Sequence, residues 1–308
     1  MGKNVFASPL FDSTFKLVFG QKSHKQVTID FLNDLLERTG KSNAIQDITF
    51  IHQELAPRRF DDKKSILDIN CIDANKNHFI IEIQRRSEDY FDWRLFYYAA
   101  SLLSRQLQET EPYSKLKPVI ILGILNFKLY CDSDEPISHH KMCDMRTGKQ
   151  SVNLIELHIV ELGKFNKKVD QLVSHIDKWL FFLKSAHNQV AIPAVYNDTP
   201  SIRKAFDVIA RLHWTQEQID AYEKEAMLFR IEITQELAEE KKRNAKKEEG
   251  LEEGLKKGKI EGKIEGRIEG EKKAKQETAL NLLAMEMPIE MIVKATGLTL
   301  QEIEALQG

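Results

Sequence analysis

Two short apolar-rich runs, residues 65–73 and 78–84, flank a polar turn at residues 74–77 within the stretch 58–86. β-Branched residues alternate with other residues on both sides of this Asn-containing turn, which is the pattern of a β-hairpin. Because successive side chains of a strand point to opposite faces, the alternation also decides where the polar side chains lie. The sequence therefore predicts a hairpin with its apolar groups on one face and its polar groups on the other.

The polar face of this hairpin carries two acids and an amide. The apolar residues of each run are predicted to share a face, Leu67, Ile69 and Cys71 in the first and Phe79, Ile81 and Ile83 in the second. Asp68, Glu82 and Gln84 then lie on the opposite face, and such a set suits a hard cation such as Mg²⁺. The alternative is the solvated face of a half-exposed hairpin, which the spacing alone favours.

The rest of the chain alternates between helical and strand-like patterns. Apolar periodicity predicts helices over residues 10–20, 24–38, 89–109, 170–185 and 202–241, and strands over residues 44–55, 118–127 and 151–162. Residues 118–127 are almost continuously apolar, as in a central strand covered on both faces, and residues 128–150 are predicted to be turn-like. This order indicates an α/β core with a mixed sheet of three to five strands, flanked by helices and ending before residue 190.

Glycine recurs at every fourth position from Gly250 to Gly270, in a segment rich in Glu and Lys. Each glycine costs a helix about 0.8–1 kcal/mol relative to alanine, but a row of small residues lets a second helix approach closely. One prediction is therefore a helix that pairs, in a right-handed sense, and makes the chain a homo-oligomer such as a dimer. The other is a flexible charged tether.

Changes in composition divide the chain into four predicted regions. These are a core (1–190), a helical region packing on or following the core (191–240), the Gly-repeat segment (241–277) and a small helical module (278–308). In the last module, Thr299 is predicted to cap the final helix, with Glu302 at the capping-box position. That helix lacks Lys and Arg, so a packing or protein-interaction role is favoured over a DNA-reading helix-turn-helix.

The net charge and the cysteine content of the chain bear on its binding partners and its compartment. The formal net charge is −2 over 308 residues, so DNA binding would depend on local basic patches. Three cysteines without CxxC spacing predict neither a disulfide framework nor a zinc site, and they fit a reducing cytoplasm. Because the sequence has neither a signal-peptide pattern nor an apolar run of membrane-spanning length, we expect a cytoplasmic protein without a membrane span.

Several sequence blocks resemble those of a known family. FDSTFKLVFG, FLNDLL, SILDINCIDANKNHFIIEIQRR, DWRLFYYAASLLSRQL and KPVIILGIL occur in this order, followed by the glycine repeat and an ATGLT segment. Together, over roughly residues 5–300, they resemble the PD-(D/E)XK nuclease family transposases, also called recombination-promoting nucleases or the transposase-31-like group. The resemblance implies a restriction-endonuclease-like core, with a helical C-terminal extension, that cleaves DNA with Mg²⁺ or Mn²⁺ in recombination or mobile-element movement.

The resemblance also implies roles for individual residues. The family's motif Asp falls on Asp68, its Glu on Glu82 and the usual Lys position on Gln84, and the Ile83 carbonyl is expected to assist metal binding. Gln84 departs from the Glu-x-Lys pattern of the superfamily, although the family commonly carries Gln there. An amide cannot supply the positive charge of a lysine.

Basic residues around the motif are therefore candidates for binding DNA phosphates. They are Lys16, Arg85, Arg86 and Arg94, and the FDSTFK block adds Asp12 as an accessory acid. The alternative for Asp12 and Lys16 is a helix N-cap and a solvated first-turn charge. The competing interpretation of the whole chain is a catalytically weak nuclease-fold module that binds DNA or proteins and oligomerises through its C-terminal helices.

Overall fold

A six-stranded mixed sheet lies in the first of two structural units, Met1–Phe229 and Arg230–Gly308. The computed structural model describes residues 5–52, 54–55, 65–150 and 152–306. The strands are β1 (Ile48–Phe50), β2 (Glu54–Leu55), β3 (Ser65–Ile66), β4 (Ile69–Asp73), β5 (His78–Gln84), β6 (Val119–Leu125), β7 (Ile137–Lys141) and β8 (Ile155–Glu161). The sheet order is β1-β4-β5-β6-β8-β7, and β2 pairs separately with β3. Strands β5, β6 and β8 are parallel and the other pairs antiparallel, which confirms the predicted mixed α/β class.

Helices cover both faces of this sheet. In the first unit they are α1 (Asp12–Phe19), α2 (Lys25–Leu35), α3 (Phe91–Ser104), α4 (His175–Ser185), α5 (Pro200–Ile209) and the beginning of α6 (Gln216–Ala284). Side chains of α1, α2, α4 and α5 pack on one face with Phe79 and Ile81, while α3 packs on the other with Ile80. All seven residues of β6 are buried, as predicted for a central strand. Each fully buried large apolar side chain contributes about 1.5–3 kcal/mol.

The first run of the predicted hairpin, residues 65–73, is interrupted at Leu67 and Asp68. Residues 58–64 of the surrounding stretch lie outside the described residues. The prediction that Leu67 shares a face with Ile69 is wrong, because Leu67 packs on the α3 side and Ile69 on the opposite side. The physical reason is a local break in strand pairing. The Asp68 carboxylate accepts the Ile83 N–H, an amide that a continuous strand would bond through its backbone.

Three other predictions need correction. The segment 128–150, predicted to be turn-like, contains β7, an edge strand whose sequence ISHHK has no apolar alternation. The main sheet alone therefore exceeds the predicted maximum of five strands. The helix predicted over residues 202–241 is divided into α5 and α6, with Trp214 donating to the Val208 carbonyl at 2.7 Å across the break.

Gly123 in β6 allows α3 to lie close to the sheet. A Cβ atom at this position would lie 2.7 Å from Leu95 Cδ1 and 3.1 Å from Ile159 Cδ1, distances too short for a well-packed core. In the parallel pairing of β5 with β6, Gly123 is the register partner of Glu82. The absence of a side chain therefore brings α3 over the part of β5 that carries Glu82.

The second unit contains the remainder of α6, together with α7 (Ile289–Thr296) and α8 (Leu300–Glu304). A small core forms around Ala279, Ile292, Leu298 and Ile303, and the predicted Thr299–Glu302 capping box is present. The glycine repeat is helical throughout, so the structure does not show the alternative of a flexible tether. Among the residues that the structure describes, no helix combines the length and apolar character needed to cross a membrane.

Candidate active site

Asp68 and Glu82 meet where the β4–β5 hairpin adjoins α3. Asp68 directly precedes Ile69, whose strand partner is Ile81, and the break in pairing at Asp68 leaves it in contact with Glu82. The Asp68 N–H donates to Glu82 Oε1 at 3.0 Å, and the Ile83 N–H donates to Asp68 Oδ2 at 2.8 Å. Each carboxylate is thus held by a backbone amide of the opposing strand segment. The structure brings together the two acids that the sequence predicted would meet.

Both carboxyl groups are largely withdrawn from water. Glu82 is 4% exposed and the Asp68 side chain 18%, so the interpretation as the solvated face of a half-exposed hairpin is wrong. Burial raises the pKa of Glu82 to about 8, and the neighbouring charge of Asp68 adds to the rise. Burial also raises the pKa of Asp68 to about 7, although the hydrogen bond from the Ile83 N–H opposes this. A positive charge near the pair would favour the ionised forms.

Lys16 of α1 supplies one such charge. Its Nζ lies 3.8 Å from Asp68 Oδ1, and 2.8 and 3.0 Å from the two carboxylate oxygens of Asp12. Burial works to lower the pKa of Lys16, but Asp12, Asp68 and Glu82 outweigh it and raise that pKa. Lys16 therefore stays protonated beside the acid pair. The interpretation of Asp12 as an N-cap is wrong, because the N-cap position of α1 is Phe11.

Gln84, at the end of β5, is held between two charged side chains. Its Oε1 accepts a hydrogen bond from Arg94 at 3.3 Å, and its Nε2 donates to Glu88 Oε2 at 3.0 Å. Arg94 also bonds directly to Glu88. The guanidinium charge of Arg94 acts against the rise in the pKa of Glu82. Arg94 therefore belongs to the surroundings of the acid pair, as Lys16 does.

Arg85 and Arg86 lie against aromatic rings. The Arg85 guanidinium carbon is 4.3 Å from the ring centroid of Phe11 and 4.2 Å from that of Phe229, and the Arg86 guanidinium carbon is 5.6 Å from the Phe229 centroid. Arg85 directly follows the last residue of β5. Among the four predicted phosphate-binding residues, the charges of Lys16 and Arg94 act to lower the pKa values of the acid pair, Lys16 on both acids and Arg94 on Glu82.

Three residues near the site were not assigned to it from the sequence. Glu88 holds Gln84 and Arg94, and Tyr98 has its pKa raised by burial and by the charge of Glu82. Glu225 in α6 bonds to the first residues of α1. Tyr98 follows Arg94 by one helical turn, so the sequence alone indicates that the two side chains share a face of α3. Glu88 and Glu225 carry no such signal, because only the folded chain brings them here.

The chemistry of the donor set fits a divalent cation bound by few protein groups. Within the described part of the chain, no three His, Cys, Asp or Glu side chains form a metal-binding cluster. Mg²⁺ is nevertheless often bound by only one or two protein carboxylates, because water molecules and substrate oxygens supply its remaining ligands. The pair Asp68 and Glu82 is such a donor set. The burial of both acids means that a cation would relieve the cost of ionising them.

Residues 9–230 match the family model of the PD-(D/E)XK nuclease family transposases. The chain belongs to this family. No curated protein and no solved structure is matched by the chain. The matched range contains the sheet, the acid pair and the first turns of α6. Membership of the PD-(D/E)XK nuclease family transposases indicates a nuclease-like protein associated with mobile elements.

Proposed function

We propose that the protein is a DNA endonuclease that uses Mg²⁺ or Mn²⁺ to hydrolyse phosphodiester bonds during recombination or mobile-element movement. The observation that carries this proposal is the buried pair Asp68 and Glu82, facing each other with the Lys16 ammonium 3.8 Å from Asp68. Burying two acids together raises the pKa of each, an arrangement more common at functional sites than in structural cores.

Asp68, Glu82 and the carbonyl of Ile83 are the groups proposed to hold the cation. When bound, a divalent ion lowers the pKa of a water molecule and polarises the scissile phosphate. Asp68 and Glu82 contribute the negative charge, and the backbone amides that donate to them fix their orientation. Asp12 is an accessory acid that acts by holding Lys16.

Lys16 is proposed to supply the positive charge that Gln84 lacks. Its ammonium lies beside Asp68 and can balance the charge that develops on a phosphate during hydrolysis. Gln84 is held at both ends of its amide and is proposed to position water or a phosphate oxygen. Lys16 and Arg94 are the preferred contacts for DNA phosphates, with Arg85 and Arg86 as further candidates.

Purified full-length protein is expected to convert supercoiled plasmid to nicked or linear DNA in Mg²⁺ or Mn²⁺, and not in EDTA. The measurement is the initial rate of loss of supercoiled DNA on an agarose gel. The second candidate function, a catalytically weak DNA-binding module, is motivated by the uncharged Gln84. A salt-sensitive gel shift without metal-dependent cleavage would support it and contradict the proposed enzyme.

A further part of the proposal is that the protein is a homo-oligomer, such as a dimer, formed through its C-terminal helices. Along the repeat of α6, a Cβ added to any glycine would meet no described atom within 4 Å. Large apolar side chains of the same segment are 54–68% exposed, at Leu251, Leu255, Ile260, Ile264 and Ile268. Each of the three isoleucines is two positions from the nearest glycines, so the isoleucine row and the glycine row lie on different sides of the helix. The exposed isoleucine row is proposed to supply the apolar contact area for a second, identical helix.

Light scattering on the full chain is expected to give a mass above the single-chain 35.6 kDa. A triple variant that replaces Ile260, Ile264 and Ile268 with glutamine should have a lower mass, because the substitutions remove apolar contact area. The matched control replaces Lys259, Lys263 and Arg267 with glutamine, and its mass should equal that of wild type. A wild-type mass of one chain at all concentrations would contradict oligomerisation.

A further inference from the structure

The first turn of α1 is capped by a residue that is distant in the sequence. Within the described chain, Phe11 at the N-cap position makes no side-chain hydrogen bond to this helix, although the first N–H groups of a helix need acceptors. Glu225, 213 positions from Asp12, provides them. Its Oε1 accepts the Asp12 N–H at 2.8 Å, and its Oε2 accepts the Ser13 N–H at 3.1 Å and the Ser13 hydroxyl at 2.8 Å. A carboxylate at a helix N-terminus is also favoured by the helix dipole.

The same part of α6 holds the end of β5. Phe229 lies one helical turn after Glu225, and the Arg85 guanidinium contacts the rings of both Phe11 and Phe229, which also contact each other edge to face. Arg85 also approaches Glu225 Oε1 at 3.4 Å. Since Arg85 directly follows Gln84, α6 fixes α1 and the catalytic end of the hairpin against each other. A guanidinium is attracted to the faces of aromatic rings, because the ring face carries partial negative charge.

The position of α1 decides the position of Lys16. Lys16 lies one turn after Asp12 and is bonded to it, so a shift of the first turn of α1 moves both residues relative to Asp68. The 3.8 Å separation of the Lys16 ammonium from Asp68 is longer than a direct hydrogen bond. The position of α1 therefore determines this separation, and a direct bond between the two side chains does not.

We propose that Glu225 is a positioning residue of the active site, which fixes the first turn of α1 and thereby places Lys16 against Asp68. This inference rests on the proposed nuclease function. Glu225 bonds to backbone and to side chains that do not react, so its effect on catalysis passes through α1. It also assigns a role in the site to α6, which begins more than fifty residues after the last strand of the sheet.

The test compares Glu225→Gln with Glu223→Gln in the full chain. Glu223 is the matched control, because it lies on the same helix, is 52% exposed and pairs with Arg211 at 2.7 Å. Glu225→Gln is expected to lower kcat for plasmid cleavage by about 10²-fold, as a small misplacement of a catalytic group does. KM for DNA should change much less than kcat, because the main role proposed for Lys16 is to balance charge that develops during hydrolysis. Glu223→Gln should cleave as wild type does.

A double-mutant cycle separates positioning from a loss of stability. If Glu225 acts through Lys16, Glu225→Gln should cause little further loss of kcat in a Lys16→Met protein. Losses that multiply fully would overturn the inference, as would wild-type kcat in the single Glu225→Gln variant. Thermal unfolding of each variant shows that the assay temperature lies below its melting transition.

Amide hydrogen exchange tests the cap without DNA. Exchange at Asp12, Ser13 and the rest of α1 should be faster in Glu225→Gln than in Glu223→Gln. Equal exchange would overturn the inference whatever the cleavage result. If the wild-type protein does not cut DNA, the proposed function fails, and the exchange comparison alone decides whether Glu225 fixes α1.

Discussion

Asp68→Asn and Glu82→Gln are each expected to lower the rate of metal-dependent plasmid cleavage by about 10³-fold or more, because each removes an anionic group that is proposed to hold the cation. A bound metal stabilises the transition state by several kcal/mol, and about 4 kcal/mol corresponds to that factor. Both substitutions keep the size of the side chain and an acceptor oxygen. The hydrogen bonds from the Ile83 and Asp68 N–H groups can therefore survive.

Asp89→Asn is the matched control for this experiment. Asp89 is an exposed carboxylate seven residues after Glu82, so its removal changes the net charge equally without touching the buried pair. Initial cleavage rates would be compared at several Mg²⁺ concentrations, with circular dichroism as the check on folding. If folded Asp68→Asn or Glu82→Gln protein nicks plasmid as fast as wild type, the assignment of the site is wrong.

The second large expected effect is on stability: the substitutions that lower cleavage activity should raise the free energy of unfolding. Without divalent cations, Asp68→Asn and Glu82→Gln should be more stable than wild type at pH 8. In the folded protein the carboxyl pKa values are raised to about 7 and about 8, from ordinary values of 3.8 and 4.5. The folded state therefore binds more protons than the unfolded state across this range, and stability falls as pH rises through it.

The expected difference is a few kcal/mol. Each tenfold change in a carboxyl acid constant corresponds to about 1.4 kcal/mol, and the two acids share part of their effect because they interact. In a unit of this size, about 1 kcal/mol shifts Tm by roughly 2–4 °C. An amide does not ionise, so each variant should lose less stability than wild type between pH 5 and pH 8.

Thermal unfolding in EDTA at pH 5 and pH 8 measures this difference, with Asp89→Asn again as the control. Mg²⁺ should then raise the Tm of wild type at pH 8, because a ligand of the folded state stabilises it. The two amide variants should respond much less. A wild-type protein that keeps its full pH 5 stability at pH 8 in EDTA would show that the acids are not buried together.

The sequence was sufficient to predict the pairing of the two acids but not the detail of their strand. Alternation in residues 78–84 correctly placed Glu82 opposite the face of Phe79 and Ile81, because β5 is regular from end to end. Alternation gave the wrong face for Leu67, because the strand is interrupted at Asp68, whose side chain accepts a hydrogen bond from the Ile83 N–H. A polar side chain that substitutes for a strand hydrogen bond leaves no trace in apolar periodicity.

Other parts of the structure depend on contacts that the local sequence does not encode. Strand β7 is polar and lies at the sheet edge, so its pairing with β8 is decided by the neighbouring strand and not by its own composition. Glu225 is one of many glutamates on a charged helix, and only its meeting with α1 distinguishes it. The helical and strand periods of a sequence indicate which side chains are buried. They do not indicate which strand β7 pairs with or which helix Glu225 contacts.

The capping of α1 by Glu225 bears on how such genes can exchange parts. A recombination joint near residue 190 would keep every strand of the sheet, the acid pair, Lys16 and Arg94. The hybrid protein would still lack the acceptor for the first turn of α1 and the ring that covers Arg85. A hybrid that keeps these contacts with α1 and Arg85 therefore has to retain the chain through Phe229.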